Sequence, residues 1–202
     1  MSRYKITITG GIGSGKSTVG RILASQGYPV YSCDEISKDL YQTEEYQKGL
    51  LALFPFCENN GTIDRKKLAT LVFSDEASLQ SLNAYAHPKI MERLFKEMEN
   101  EPSDVCFAEV PLLFEGGYEN NFSFVMVVER GLELRIQSII ERDHITKEEA
   151  LQRIRRQWDY SGVAHQKMMQ GKHMLSIQNN NDEHALKNAV IKTLSFLLNN
   201  MR

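Results

Sequence analysis

The sequence predicts an α/β fold, three layers deep around a parallel sheet, with a helical lobe and a helical lid inserted into it. A β-branched stretch, Tyr4 to Thr9, runs into glycines and then into a helical pattern. A second strand pattern follows within about 30 residues, the length of the crossover that joins parallel strands. Strand patterns return at Val105 to Val110 and Phe124 to Val128 after a long helical stretch, so the sheet resumes across an insertion.

The first strand ends in Gly10-Gly11, a tight turn, and the helix after it carries Val19, Ile22 and Leu23 at helical spacing, with Gly27 as its stop. Pro29 to Ser32 is the second strand. Between Glu35 and Asn100 the periodicity predicts helices around Tyr46 to Phe54, Arg65 to Phe73 and Leu79 to Met98, with no strong strand among them. Gly131 to Arg142 is helical, and Thr146-Lys147-Glu148-Glu149 has the form of a capping box opening a helix through Gln157. Met174 to Gln178 is a late strand, and Asp182 is placed to cap a final helix, Glu183 to Asn200.

The 202 residues suit one domain with inserted lobes: a core at about 1–34, 101–140 and 170–202, a helical lobe at about 35–100 and a lid at about 141–169. Hydrophobic residues make up 42% and charged residues 25%, which excludes disordered and fibrous classes. A net charge of -2 provides no basic field, so no nucleic-acid partner is expected. Cys33, Cys57 and Cys106 are odd in number and form no C-x-x-C pair, which argues against a disulfide framework or a zinc site and fits a reducing compartment. The apolar run Ile6 to Thr9 is far too short for a signal or membrane helix. The expectation is a cytoplasmic protein without membrane association, a monomer or weak homo-oligomer.

Gly10-Gly11-Ile12-Gly13-Ser14-Gly15-Lys16-Ser17 matches G-x-x-x-x-G-K-[ST] between a predicted strand and a predicted helix, the context that a P-loop NTPase core requires. Glycines let the backbone curl so that N–H groups converge on phosphate oxygens, and the helix N-terminus adds positive partial charge. On this reading Gly11, Ile12, Gly13, Ser14 and Gly15 cradle the phosphates of a nucleoside triphosphate. Lys16 reaches the β- and γ-phosphates, the Ser17 hydroxyl ligates Mg2+, and Thr18 adds an α-phosphate contact. A dinucleotide-binding loop would need neither Lys16 nor Ser17, although Asp34 does sit where such a loop's ribose-binding acid would stand.

Phosphoryl transfer also needs a group that orients the acceptor and cations that offset charge. Asp34, just past the second strand, is the best carboxylate: the carboxyl ends of neighbouring parallel strands lie side by side, which would bring it beside Lys16. It could equally cap the helix that begins there, and the two roles can coexist. Arg142, Arg153, Arg155 and Arg156 form either a flap that delivers guanidinium groups and excludes water or an ordinary solvated face. Glu109 either holds magnesium through water or is a plain strand-end residue. A GTP-driven switch is disfavoured because no N-K-x-D guanine-reading motif is present. Another small-metabolite kinase on the same core stays open.

With these residues in view, the sequence resembles the dephospho-CoA kinase family. The likeness spans almost the whole chain: Thr9 to Thr18, Asp34, Gly61-Thr62-Ile63-Asp64-Arg65, His87-Pro88-Lys89-Ile90, Val110-Pro111-Leu112-Leu113-Phe114-Glu115, Arg142-Asp143, Arg153-Ile154 with Gln157, and Asn179-Asn180. The resemblance implies ATP-dependent phosphorylation of the ribose 3′-hydroxyl of dephospho-coenzyme A. It makes Asp34 the base for that hydroxyl and Arg142 a phosphate contact from the lid, and it puts Asn179 and Asn180 near the adenine. Arg65, His87 and Leu112 would line the acceptor side. On residues alone, His87-Pro88 reads as a helix interruption with a packed histidine. The chain departs from the family where it reads Ser32-Cys33-Asp34 in place of two aspartates around a small residue, so Asp34 acts alone and Cys33 is a small buried filler. It departs again where Asn181 replaces a glycine, asparagine being tolerant of left-handed angles, and at Asp159-Tyr160-Ser161 in the lid.

Overall fold

The structure is a computed structural model that describes residues 3–171 and 173–201. Its elements in chain order are β1 (Tyr4–Thr9), α1 (Lys16–Ser25), β2 (Val30–Ser32), α2 (Cys33–Leu40), α3 (Glu44–Leu53), β3 (Glu58–Asn59), β4 (Thr62–Ile63), α4 (Arg65–Ser74), α5 (Glu76–Asn100), β5 (Val105–Glu109), β6 (Phe124–Glu129), α6 (Leu132–Asp143), α7 (Lys147–Arg155), α8 (Val163–Met168), β7 (Met174–Gln178) and α9 (Glu183–Asn200). Five strands form one sheet in the order β2-β5-β1-β6-β7. The pairings of β1 with β5 and β6, and of β6 with β7, are parallel, with Ile6 opposite both Phe107 and Phe124. The expected α/β class with a parallel sheet is therefore the fold found.

The strands are buried on both faces, as a parallel sheet between helices must be. Ile6, Ile8, Phe107, Met126, Val128 and Ile177 pack with Val19 and Leu23 of α1 and Leu186, Val190 and Leu197 of α9. The alternate residues Thr7, Thr9, Cys106, Ala108, Val125 and Val127 are equally buried. The chain divides into two compact units, residues 1–31 with 98–202, which contain this sheet, and residues 32–97. The second unit has its own core of Tyr46, Leu50, Phe54, Cys57, Ile63, Leu68, Val72 and Ala86. Gln47 braces it, accepting from the Ile63 N–H at 2.9 Å and donating to the Tyr41 carbonyl at 2.7 Å.

Local chemistry explains the helix ends. Thr146 and Glu149 form the reciprocal capping box at α7, and the Asp182 carboxylate accepts from the Ala185 N–H at the start of α9. In several places the structure differs from the sequence expectation. Strand β2 starts at Val30, because Pro29 has no N–H for the ladder and contributes only its carbonyl, which accepts from Phe107 N. The expected helical stretch contains a β3–β4 hairpin turning at Asn60-Gly61, with φ of 50° and 80°. Helix α5 runs unbroken through Pro88: Ala86, Met91 and Leu94 bury its apolar face on both sides, which outweighs proline's cost of about 3 kcal/mol. The short helix α8 was not anticipated. Asn181 does not use a left-handed angle, since Asn60 and His144 are the non-glycine residues at positive φ among those described.

Candidate phosphate-transfer site

The loop between β1 and α1 folds as its glycines dictate. Gly10, Gly13 and Gly15 have φ of 144°, 77° and 95°, angles that L side chains rarely adopt. Gly11 is required for a different reason, since a Cβ there would stand 2.3 Å from Arg135 Nη2. No side chain caps α1, and the Thr18 N–H donates to the Gly15 carbonyl at 3.1 Å; the positive end of this helix favours an anion. Lys16, nearly buried, folds back to donate to the carbonyls of Gly10 at 2.9 Å and Gly11 at 3.2 Å. Thr18 accepts from Arg21 at 3.1 Å.

Strand order corrects one expectation about the carboxylates. The neighbour of β1 on that side is β5, with β2 one strand further out. The carboxylate beside the loop is thus Glu109 at the end of β5, and Ser17 Oγ donates to its Oε1 at 2.6 Å. Asp34 is the second residue of α2 and exposed, and it does not cap that helix: Ser32 does, its hydroxyl accepting from the Glu35 N–H at 3.4 Å.

Around the loop lies a cavity of about 780 Å³, lined among others by Arg130, Arg135, Ile154, Gln157, Tyr160 and Asn180. Gln157, just beyond α7, accepts the Ile12 N–H on its Oε1 at 2.6 Å. Tyr160 OH lies 3.4 Å from Thr9 Oγ1, and burial pushes its hydroxyl up to about 12, so it works as a neutral hydrogen-bonding group. The Trp158 backbone N–H donates to the Glu115 carboxylate at 2.7 Å, and Phe114 packs against Trp158, Tyr160 and His165. Arg142 makes two bonds to Asp143, at 2.7 and 3.0 Å, and Arg153 reaches the same carboxylate at 2.5 Å. The Arg142 hydrogen bond, with both guanidinium charges, holds the Asp143 carboxyl below its ordinary range. Arg142 and Arg153 thus share a carboxylate that joins α6 to α7.

Asn179 is buried and donates to the Ser14 carbonyl at 2.8 Å, while Asn180 accepts from the Gly131 N–H at 2.7 Å. Leu112 lies half-buried in the loop after β5. In the 32–97 unit, Arg65 opens α4 with its guanidinium 4.4 Å from the centre of the Tyr41 ring, and His87 is half-buried on α5. Sequence reasoning missed Arg130 and Arg135. Nothing in their spacing marks them, although both follow β6, the strand that pairs with β1 on its other side. Among the described residues no group of three or more His, Cys, Asp or Glu could hold a metal, and no helix is long and apolar enough to cross a membrane.

The sequence profile of the dephospho-CoA kinase (CoaE) family matches residues 4–183. The chain belongs to the dephospho-CoA kinase family. It is 40% identical over 151 residues to the dephospho-CoA kinase of Fusobacterium nucleatum, covering 73% of this chain and 78% of that one. It is 40% identical over 152 residues to that of Thermus thermophilus, covering 75% and 74%. Among solved structures, a Thermus thermophilus protein superposes with a TM-score of 0.80 at 34% identity, over 98% of this chain and 99% of that one. The dephospho-CoA kinase from Campylobacter jejuni does so with a TM-score of 0.67 at 26% identity, over 98% of each. Membership makes the chain an ATP-using kinase.

Proposed function

We propose that the chain transfers the γ-phosphoryl group of ATP to the ribose 3′-hydroxyl of dephospho-coenzyme A, giving coenzyme A and ADP. The observation that carries the proposal is the pairing of a complete phosphate loop, its Ser17 hydrogen-bonded to Glu109, with a family match over nearly the whole chain. The 3′-oxygen attacks the γ-phosphorus, the bond to the β–γ bridging oxygen breaks, and the hydroxyl proton passes to Asp34, which hands it to water. Gly11 to Thr18 hold the phosphates, with Lys16 swinging from the carbonyls of Gly10 and Gly11 onto the β- and γ-oxygens. Arg142 leaves Asp143 to meet the transferred group. Asn179 and Asn180 border the adenine, and Arg65, His87 and Leu112 contact the acceptor.

The residues present fit Mg2+, because this ion usually takes one or two protein groups and completes its shell with water and phosphate oxygens. Ser17 would hold it directly and Glu109 through water. When bound, it neutralises phosphate charge. We assign residues 35–100 to acceptor binding and 141–169 to the lid of a monomeric or weakly associating cytoplasmic enzyme. Purified protein given ATP and a panel of acceptors tests the reading. Dephospho-coenzyme A is expected to give the highest kcat/KM by at least about 100-fold, a discrimination that hydrogen-bonded recognition readily supplies. A preference for adenosine, shikimate or gluconate would refute it.

A further inference from the structure

Five consecutive carbonyls of the phosphate loop each accept a hydrogen bond from a side chain. Those of Gly10 and Gly11 accept from Lys16 Nζ, that of Ile12 from Arg135 Nε at 2.9 Å, that of Gly13 from Arg130 Nη1 at 3.3 Å, and that of Ser14 from Asn179 Nδ2 at 2.8 Å. The last three donors come from separate places: α6, the segment just after β6, and the residue just after β7. Arg130 is itself braced by Ser138, its Nη1 donating to that hydroxyl at 2.8 Å. These donors are only partly exposed or buried, so each bond is shielded from competing water.

From this we infer that Arg135, Arg130 and Asn179 are positioning residues that set the peptide orientation of the phosphate loop. In a trans peptide the N–H lies opposite the carbonyl. Holding the carbonyls of Ile12 and Ser14 outward therefore turns the N–H groups of Gly13 and Gly15 to the inner side, where loops of this motif bind phosphate. The glycines make the restraint necessary, since backbone at Gly13 and Gly15 rotates more freely than at any other residue type. Without external donors, a carbonyl of this loop can flip inward and present negative partial charge to the nucleotide. Lys16 restrains its two carbonyls only until it engages phosphate, whereas the three other donors stay in place throughout the cycle. Gly11 belongs to the same device, because a Cβ there would meet Arg135 Cζ at 2.5 Å and displace the guanidinium.

The inference rests on the ATP reading, and its test uses ADP binding measured by calorimetry on the whole protein, so that it fails separately from the identity of the acceptor. Arg135→Met is expected to weaken ADP about 10-fold or more, the loss expected for one hydrogen bond from a charged donor, while the KM for dephospho-coenzyme A stays within about 2-fold. Arg135→Lys, which keeps a donor, recovers most of the loss. Asn179→Ala weakens ADP and inorganic triphosphate alike although no charge is removed, the second ligand having no adenine for this side chain to border. Gly11→Ala mimics Arg135→Met, and adding Gly11→Ala to Arg135→Ala costs nothing further, because the guanidinium that the new Cβ strikes is already gone. ADP affinity unchanged in Arg135→Met and Asn179→Ala, at an unchanged melting temperature, overturns the inference. So does full additivity in the Gly11 and Arg135 pair. If Arg135→Met unfolds, the Gly11→Ala and Asn179→Ala arms decide alone.

Discussion

Replacing Glu109 by Gln removes one charge from the site while keeping shape and an acceptor oxygen. Ser17 Oγ donates to Glu109 Oε1 at 2.6 Å, a short hydroxyl–carboxylate hydrogen bond. Hydrogen bonds to charged groups contribute about 1.5–3 kcal/mol. Ser17 is exposed and Glu109 half-buried, which favours the lower end. Groups one step removed from a metal commonly change its affinity by about 10- to 100-fold, so the expected effect here is about 10-fold. Activity measured against total Mg2+ at fixed ATP should show the half-saturating magnesium concentration of Glu109→Gln raised about 10-fold. Its melting temperature should stay within about 4 °C of the parent's, since Gln keeps an acceptor oxygen for the Ser17 hydroxyl. An unchanged magnesium requirement would refute the reasoning and leave Glu109 as an ordinary strand-end residue.

Three further outcomes are expected. Asp34→Asn should lower kcat by about 100-fold or more, in the range of lost general-base catalysis, with the KM for ATP within about 2-fold; equal losses in both would assign Asp34 to folding or metal binding. Trp158 is the chain's one tryptophan and packs at 5.5 Å against Phe114 beside the cavity, so its fluorescence should change saturably with ADP, and a flat titration would mean that this segment does not respond to nucleotide. His165 is buried with no hydrogen-bond partner on either ring nitrogen, and burial lowers its proton affinity against weaker opposing pulls from Glu129 and Asp159. The unfolded chain then binds the extra proton first, so this residue's contribution to stability is whole above about pH 6.5 and falls as pH drops below it. His165→Phe should flatten that part of the stability profile, as read by denaturant midpoints, and an unchanged slope would contradict it.

Where local chemistry decides the outcome, the sequence was readable. The loop motif, the Thr146 capping box and the Asp182 cap depend on residues a few positions apart, and each is found as expected. The Asn60-Gly61 hairpin was equally legible, because that dipeptide is the strongest short-range signal for a two-residue turn, but surrounding helical periodicity masked it. Strand order was not legible: β5 separates β2 from β1, so the strand end beside Ser17 is that of β5, which carries Glu109. Arg130 and Arg135 escaped for the same reason. Their targets, the carbonyls of Gly13 and Ile12, lie more than a hundred positions away in the chain, and only the folded sheet brings them together.

The most direct measurement is the product itself. Incubation of the protein with ATP, Mg2+ and dephospho-coenzyme A, followed by phosphorus NMR, should show a new phosphomonoester on the ribose 3′-oxygen formed in equal amount with ADP. ADP released with no phosphomonoester on that oxygen, or phosphate appearing at another position, would contradict transfer to the 3′-hydroxyl.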